Sequence, residues 1–540
     1  MKTTALFRHP LLGQLKGRTL NDSFLQFTNV PYGSISQRFG RAKLITALPK
    51  TSEGQPYDAA DIPPASIQPL KAAEIDCKGN QFPSDVLQDY EEPQSEDCLR
   101  LNIAIPSSTT QGSSLPVLVF LHGGAFFLGS GTRPYYNPTN FCEQALQAGL
   151  PHVFVSVNYR LGALGFFHSP SASNLMPENS GLHDQLVAFT WISRYIAGFG
   201  GDPNNVVAMG QSAGGMSVTI HNMSGKENLW RRSIQFSGSL VTMPVKSPSE
   251  HQENFISQAK KLGIATKERT SDAIARNMIS APVDKIRNLE YVGMACSQSE
   301  LLPYETASMA LMRRRAPPSP NLQSQIVSST TYDGGISYNL MLGNKERKTH
   351  AKVFIDIAES VLKHPREVLD LYDIKPSDDD KTALRKICQF ESDIGFFAAS
   401  LAQAQGFPGK TYLMIFDLGN PFDGPLPPRE CATHTWDVVA LLGAYEGRVD
   451  DQYRSVITES RGKILAYAVA GKEPWPAWTP EDGFALWVGN DGVRVVRKDD
   501  YMGTGTQRGR LLKYAEKEAG EDGCDVLWND VCRRFLMAGR

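Results

Sequence analysis

The chain has 540 residues, of which 41% are hydrophobic, 9% aromatic and 21% charged, and its 55 basic and 57 acidic side chains leave a formal net charge of −2. These proportions are ordinary for a folded globular protein and exclude disordered or collagen-like chains; the near-neutral balance, with no dense Lys/Arg stripe, excludes a field that would recruit a nucleic-acid backbone. Eight cysteines without paired CxxC spacing exclude a zinc ribbon or a thioredoxin-like redox site, and no run of about 18 apolar residues is present to span a bilayer.

In chain order, the opening MKTTALFRHPLLGQLKGRTL lacks the continuous apolar core of about 7 to 15 residues that a secretory signal needs, so a cytoplasmic location is expected. Residues 15–30 alternate around Asn21-Asp22 and predict a peripheral β-hairpin ahead of the main sheet. Short apolar runs follow at 115–121, 152–159, 205–209, 233–237, 325–330 and 411–416, each continuous enough for a strand buried on both faces. Between the second and third runs, Leu186, Phe189, Ile192 and Ile196 fall at helical spacing and glycines stop the helix. Strand, helix and strand in succession predict a parallel sheet in an α/β fold.

From about 240 to 320 the sequence turns polar and helical, ending in a basic, proline-rich tract at 312–320; it reads as an insertion within one domain spanning 1–540. SDDDK at 377–381 reads as a solvated helix start. FALWVGNDGVRVV near the end carries a GNDG turn between two alternating runs, a hairpin signal.

Chemistry concentrates at few positions. Gly210-Gln211-Ser212-Ala213-Gly214 follows the run NVVAM and precedes a helical stretch, the context in which a strained turn exposes a serine Oγ. Alone the pattern is weak, since roughly 0.3 chance matches are expected in a chain of this composition. The run LPVLVFL ends in His122-Gly123-Gly124-Ala125, where the N–H groups of Gly123 and Gly124, with that of Ala213, would form an oxyanion hole. Among the histidines after Ser212, His221, His251, His350 and His364 precede the last core strand and only His434 follows it; the order serine, acid, histidine makes His434 the candidate base. Asp333, just beyond the run QIVSST and followed by two glycines, is the candidate acid, with Asp437 as its rival. Phe126 and Phe127 are read either as an apolar wall of the site or as ordinary core.

Six blocks occur in order: SEDCLRLNI (95–103), HGGAFFLGSG (122–131), VNYRLGALGF (157–166), GLHDQ (181–185), FGGDPNNVVAMGQSAGG (199–215) and HTWD (434–437). Together they resemble the type B carboxylesterases and lipases, relatives of the cholinesterases, over most of the chain. The resemblance implies an α/β-hydrolase fold: a large, mostly parallel central sheet flanked by helices, an N-terminal β-hairpin, and a helical insertion over the active site. It also implies a triad of Ser212, Asp333 and His434, an oxyanion hole from Gly123, Gly124 and Ala213, and ion pairs between Arg38 and Glu96 and between Arg160 and Asp184. A disulfide between Cys77 and Cys98 is implied too, which points to secretion and stands against the cytoplasmic reading. The family most often has Glu where this chain has Asp333. Cholinesterases carry Glu before the nucleophile and Trp in the cysteine loop; Gln211 is neutral and residues 77–98 hold Tyr90 but no Trp, so choline esters are poor candidates. The expected activity is hydrolysis of a small, apolar carboxylic ester through an acyl-enzyme, with no metal or organic cofactor. The alternatives are an acyltransferase or lactone-forming enzyme using the same acyl-enzyme, and a non-catalytic binding module.

Overall fold

The computed structural model describes residues 4–52, 54–88, 90–226, 230–264, 270–290, 292–314, 319–342 and 349–538. A thirteen-stranded sheet runs through the molecule. Its strands are β1 (Thr4–His9), β2 (Gly13–Leu20), β3 (Phe24–Pro31), β4 (Arg100–Pro106), β5 (Leu115–Leu121), β6 (Val153–Val157), β7 (Gly201–Gln211), β8 (Arg232–Phe236), β9 (Ser324–Thr330), β10 (Lys410–Asp417), β11 (Ala485–Gly489) and β12 (Gly492–Val496). The two-residue strand Tyr57–Asp58 pairs with β2 at one side. Spatial order is β1-β2-β3-β4-β6-β5-β7-β8-β9-β10-β11-β12. From β6 through β11 every neighbouring pair is parallel, and the other neighbours in that order are antiparallel, while Tyr57–Asp58 runs parallel to β2.

The six apolar runs fall on β5 to β10, and the GNDG hairpin is β11–β12. Residues flanking Asn21 form the β2–β3 hairpin, with Asn21 in the left-handed region at φ +46°. That hairpin is part of the main sheet, because β3 pairs with β4 despite a register shift between Phe27 and Val30.

Alternation along each buried strand divides the core between the two faces. Leu118, Phe120, Phe154, Val207 and Met209 pack on one side with Trp436 and Leu441. Val117, Val119, Val155, Val206 and Ala208 pack on the other, against Phe189, Trp191 and Ile192 of helix Ser180–Tyr195. Each large apolar side chain so buried stabilises the fold by about 1.5–3 kcal/mol.

The segment read as an insertion forms helices Pro248–Lys261, Ser271–Ile279, Val283–Arg287 and Met309–Arg313. Ser247 and Glu250 close a reciprocal cap on the first of these. Phe255, Ile274 and Met278 pack with Phe39, Leu164 and Phe167, so the segment shares a core with the body. Within the basic, proline-rich tract, residues 315–318 lie outside the described residues. In SDDDK, Asp379 caps helix Asp380–Glu391, accepting from the N–H groups of Lys381 and Thr382. Among the described residues no helix is long and apolar enough to cross a membrane.

One implied feature is absent. Cys77 and Cys98 are both free thiols. Cys77 packs beside Phe82 and Tyr135 on one face of the sheet, and Cys98 beside Tyr32 and Leu99 on the other, so the pairing that the resemblance implies is not made. Burial pushes each thiol up to about 12, which keeps them protonated. Both implied ion pairs are formed: Arg38 meets Glu96 at 2.5 Å, and Arg160 grips buried Asp184 through two 2.7 Å bonds.

Candidate active site

Strand β7 delivers Ser212 into a conformation with φ +54° and ψ −121°, from which helix Ala213–Met223 departs at once. A side chain there is strained by about 1–3 kcal/mol, and tight neighbours hold it. A Cβ on Gly214 would lie 2.0 Å from the Leu121 carbonyl oxygen, and one on Gly210 would lie 2.2 Å from the Gly214 carbonyl oxygen. Only glycine lets strand and helix approach this closely. The Ser212 N–H donates to the Phe236 carbonyl at 2.8 Å, which ties the turn to β8.

His434 stands on the turn before helix Trp436–Leu442, and Asp333 lies three residues past the end of β9. The His434 Nδ1–H donates to Asp333 Oδ1 at 2.7 Å. The other oxygen of Asp333 accepts from the Thr330 N–H at 2.9 Å and the Ser237 hydroxyl at 3.1 Å, so the carboxylate is fully buried and fixed in orientation. Asp437, the rival acid, is buried in the first turn of helix Trp436–Leu442, but its Oδ1 accepts from the Val438 N–H and among the described residues it makes no bond to His434. Burial, followed by the charge of Asp333, pushes the Asp437 carboxyl up to about 7.

Gln211 enters this cluster in a way the sequence did not announce. Its side-chain amide meets His434 Nε2 at 3.1 Å and donates to Thr435 Oγ1 at 2.8 Å. Among the described residues no hydrogen bond joins Ser212 Oγ to His434. Since Nδ1–H is committed to Asp333, Nε2 carries the lone pair, and the Gln211 N–H is directed at it. The ring of Phe396 lies 5.3 Å from that of His434.

The loop after β5 brings the glycines against the serine. A Cβ on Gly123 would lie 2.9 Å from Ser212 Cβ and 2.3 Å from Gln211 Oε1. Gly124 has φ +101°, and Ala125 and Phe126 both have φ +56°. Among the described residues the N–H groups of Gly123, Gly124 and Ala213 donate to no protein acceptor, which leaves three donors beside the serine. His122 anchors the loop through Nδ1 and the Gly123 carbonyl at 2.9 Å and stacks on Tyr159. Burial lowers its imidazole to about 3, so it is neutral. Of the two phenylalanines, Phe126 is core and Phe127 lines the cavity.

Ser212 and His434 open into a cavity of about 960 Å³. Its walls come from the loop after β5 (Phe127, Leu128), the insertion (Met243, Val292) and two parts that sequence reasoning missed. These are helix Gly335–Leu342, through Ile336 and Leu340, and the C-terminal segment, through Trp528 and Leu536. Neither carries a motif; only their apolar residues at helical spacing hinted at a packed role.

A parallel sheet with this strand order, a serine on the turn after a central strand, and a histidine and carboxylate on later loops define an α/β-hydrolase. A solved PNB esterase superposes with a TM-score of 0.71 at 21% identity, covering 94% of this chain and 100% of that one. The sequence profile of the carboxylesterase family matches residues 4–464, and this chain belongs to that family. The para-nitrobenzyl esterase of Bacillus subtilis is 28% identical over 425 residues, covering 74% of this chain and 81% of its own. Lipase 3 of Yarrowia lipolytica is 26% identical over 484 residues, covering 86% and 88% respectively.

Proposed function

We propose that the chain is a serine carboxylesterase in which Ser212 is the nucleophile, His434 the general base and Asp333 its orienting acid. The observation that carries this reading is the 2.7 Å bond from His434 Nδ1 to Asp333, in one cavity with a serine held at φ +54°. His434 Nε2 takes the proton of Ser212 as Oγ bonds to the ester carbonyl carbon, and the carbonyl electron pair moves onto oxygen. The N–H groups of Gly123, Gly124 and Ala213 stabilise that oxyanion, each by about 3–4 kcal/mol. Collapse expels the alkoxide, which takes the proton from His434, and water then repeats the sequence to release the acid. Because the Gln211 amide meets the same Nε2 lone pair, attack requires Gln211 to yield it to the serine hydroxyl. The apolar walls of the cavity favour an apolar ester.

Covalent labelling tests the assignment. A fluorophosphonate probe is expected to modify one residue, Ser212, found by peptide mapping; a label on another serine, or none on folded protein, contradicts it.

A further inference from the structure

One charged side chain of the cavity wall, Arg533, makes no ion pair among the described residues. Arg533 closes the π-helical segment Val526–Arg533 and lines the same cavity as Ser212 and His434. Its Nη1 donates to Asn529 Oδ1 at 2.8 Å and its Nη2 to the Val241 carbonyl at 2.6 Å, while its guanidinium lies 4.9 Å over the Trp528 ring. Among the described residues no carboxylate forms an ion pair with it. Asp525, the acid whose charge it feels, is committed to the N–H groups of Met309 and Ala310. Glu391, on the same cavity, accepts from the Ser337 hydroxyl. Burial outweighs what nearby groups return and lowers the Arg533 guanidinium to about 10, still cationic at neutral pH. Arg287, on another wall, differs: it has Asp284 within 3.5 Å and donates to the Gln68 carbonyl.

Close packing through the Gly395 backbone brings Arg533 near the reaction centre. Phe396 packs on His434, and a Cβ on the preceding Gly395 would lie 2.4 Å from the Trp528 ring that Arg533 covers. Met243, Leu536 and Met537 make the surrounding wall apolar. A half-buried guanidinium in an apolar wall, with N–H groups left over, is a fork for a planar anion.

We infer that Arg533 binds a carboxylate carried by the substrate, so that the preferred ester is a monoanion with an apolar body and a carboxylate remote from the scissile bond. This rests on the esterase reading above and narrows it to a substrate class. The test uses the full chain and two series of 4-nitrophenyl-type esters. In one, half-esters of linear dicarboxylic acids are compared with their neutral methyl-capped counterparts; in the other, a carboxylate is placed on the leaving phenol. In at least one series the wild type is expected to favour the anion in kcat/KM. Arg533→Gln is expected to lower the anionic-to-neutral ratio by about 10- to 100-fold, and Arg533→Lys to keep most of it. The ratio separates recognition from packing, since a merely structural role lowers both substrates together. Hydrolysis of neutral esters with no anionic preference in either series, or a ratio unchanged in Arg533→Gln, overturns the inference and leaves the esterase reading standing. Hydrolysis of no ester overturns both.

Discussion

Asp437 and Asp333 lie close together near His434, yet the fold treats them differently. Asp333 accepts three hydrogen bonds and faces the imidazole; Asp437 is buried with one oxygen unpartnered among the described residues. Its carboxyl is raised from 3.8 to about 7, so the native state favours the protonated form. The stability this contributes is fully present below about pH 4, where the unfolded chain is protonated as well, and is lost as pH rises through 7. Asp437→Asn is neutral at every pH and keeps an oxygen for the Val438 N–H. It is expected to melt above the wild type at pH 8, with a gap that narrows as pH falls toward 4; a gap independent of pH would contradict this. Asp333, His434 and Ser212 were legible because each follows a strand in a fixed chain order. Gln211 was legible only as a neutral residue beside the serine, because its reach to His434 depends on a side-chain direction that no spacing encodes.

At the scale of elements, glycines at the elbow and in the oxyanion loop fail in different ways when enlarged. Gly214→Ala drives a methyl into the Leu121 carbonyl between two rigid backbones, and overpacking of this kind costs about 1–3 kcal/mol; a lower melting temperature and lower activity are expected together. Gly123→Ala meets the Gln211 side chain and Ser212 Cβ, so it displaces the serine and the oxyanion donors. Its expected signature is a loss of about 10²- to 10³-fold in kcat with a smaller change in melting temperature, and circular dichroism with steady-state kinetics separates the two variants. Equal losses of stability in both would count against a dedicated role for the loop. The parallel strands were readable as continuous apolar runs, since burial on both faces removes the need for polar alternation. Strand β4 was not, because its residues RLNIAIP open on a charge and were read only as part of a motif. Strand β1 sits in an N-terminal stretch with no turn signal strong enough to mark it.

At the scale of the whole molecule, the cavity is assembled from segments far apart in sequence: the loop after β5, the insertion, helix Gly335–Leu342 and the C-terminal segment. Helical character in the insertion could be read from its polarity, whereas its share in the cavity wall follows from tertiary packing that sequence order does not reveal. The Cys77–Cys98 bridge that the resemblance implies is not made, because the two thiols meet opposite faces of the sheet, which a family pattern in the sequence does not fix.

The central claim, that these segments converge on Ser212 as an acyl acceptor, is tested most directly by comparing 4-nitrophenyl butyrate hydrolysis by the wild type and by Ser212→Ala. A loss on the order of 10⁵- to 10⁶-fold in kcat, with unchanged thermal unfolding, is predicted if the serine, histidine and acid act as one unit. Retention of activity within about tenfold of the wild type would place the chemistry elsewhere and contradict the account.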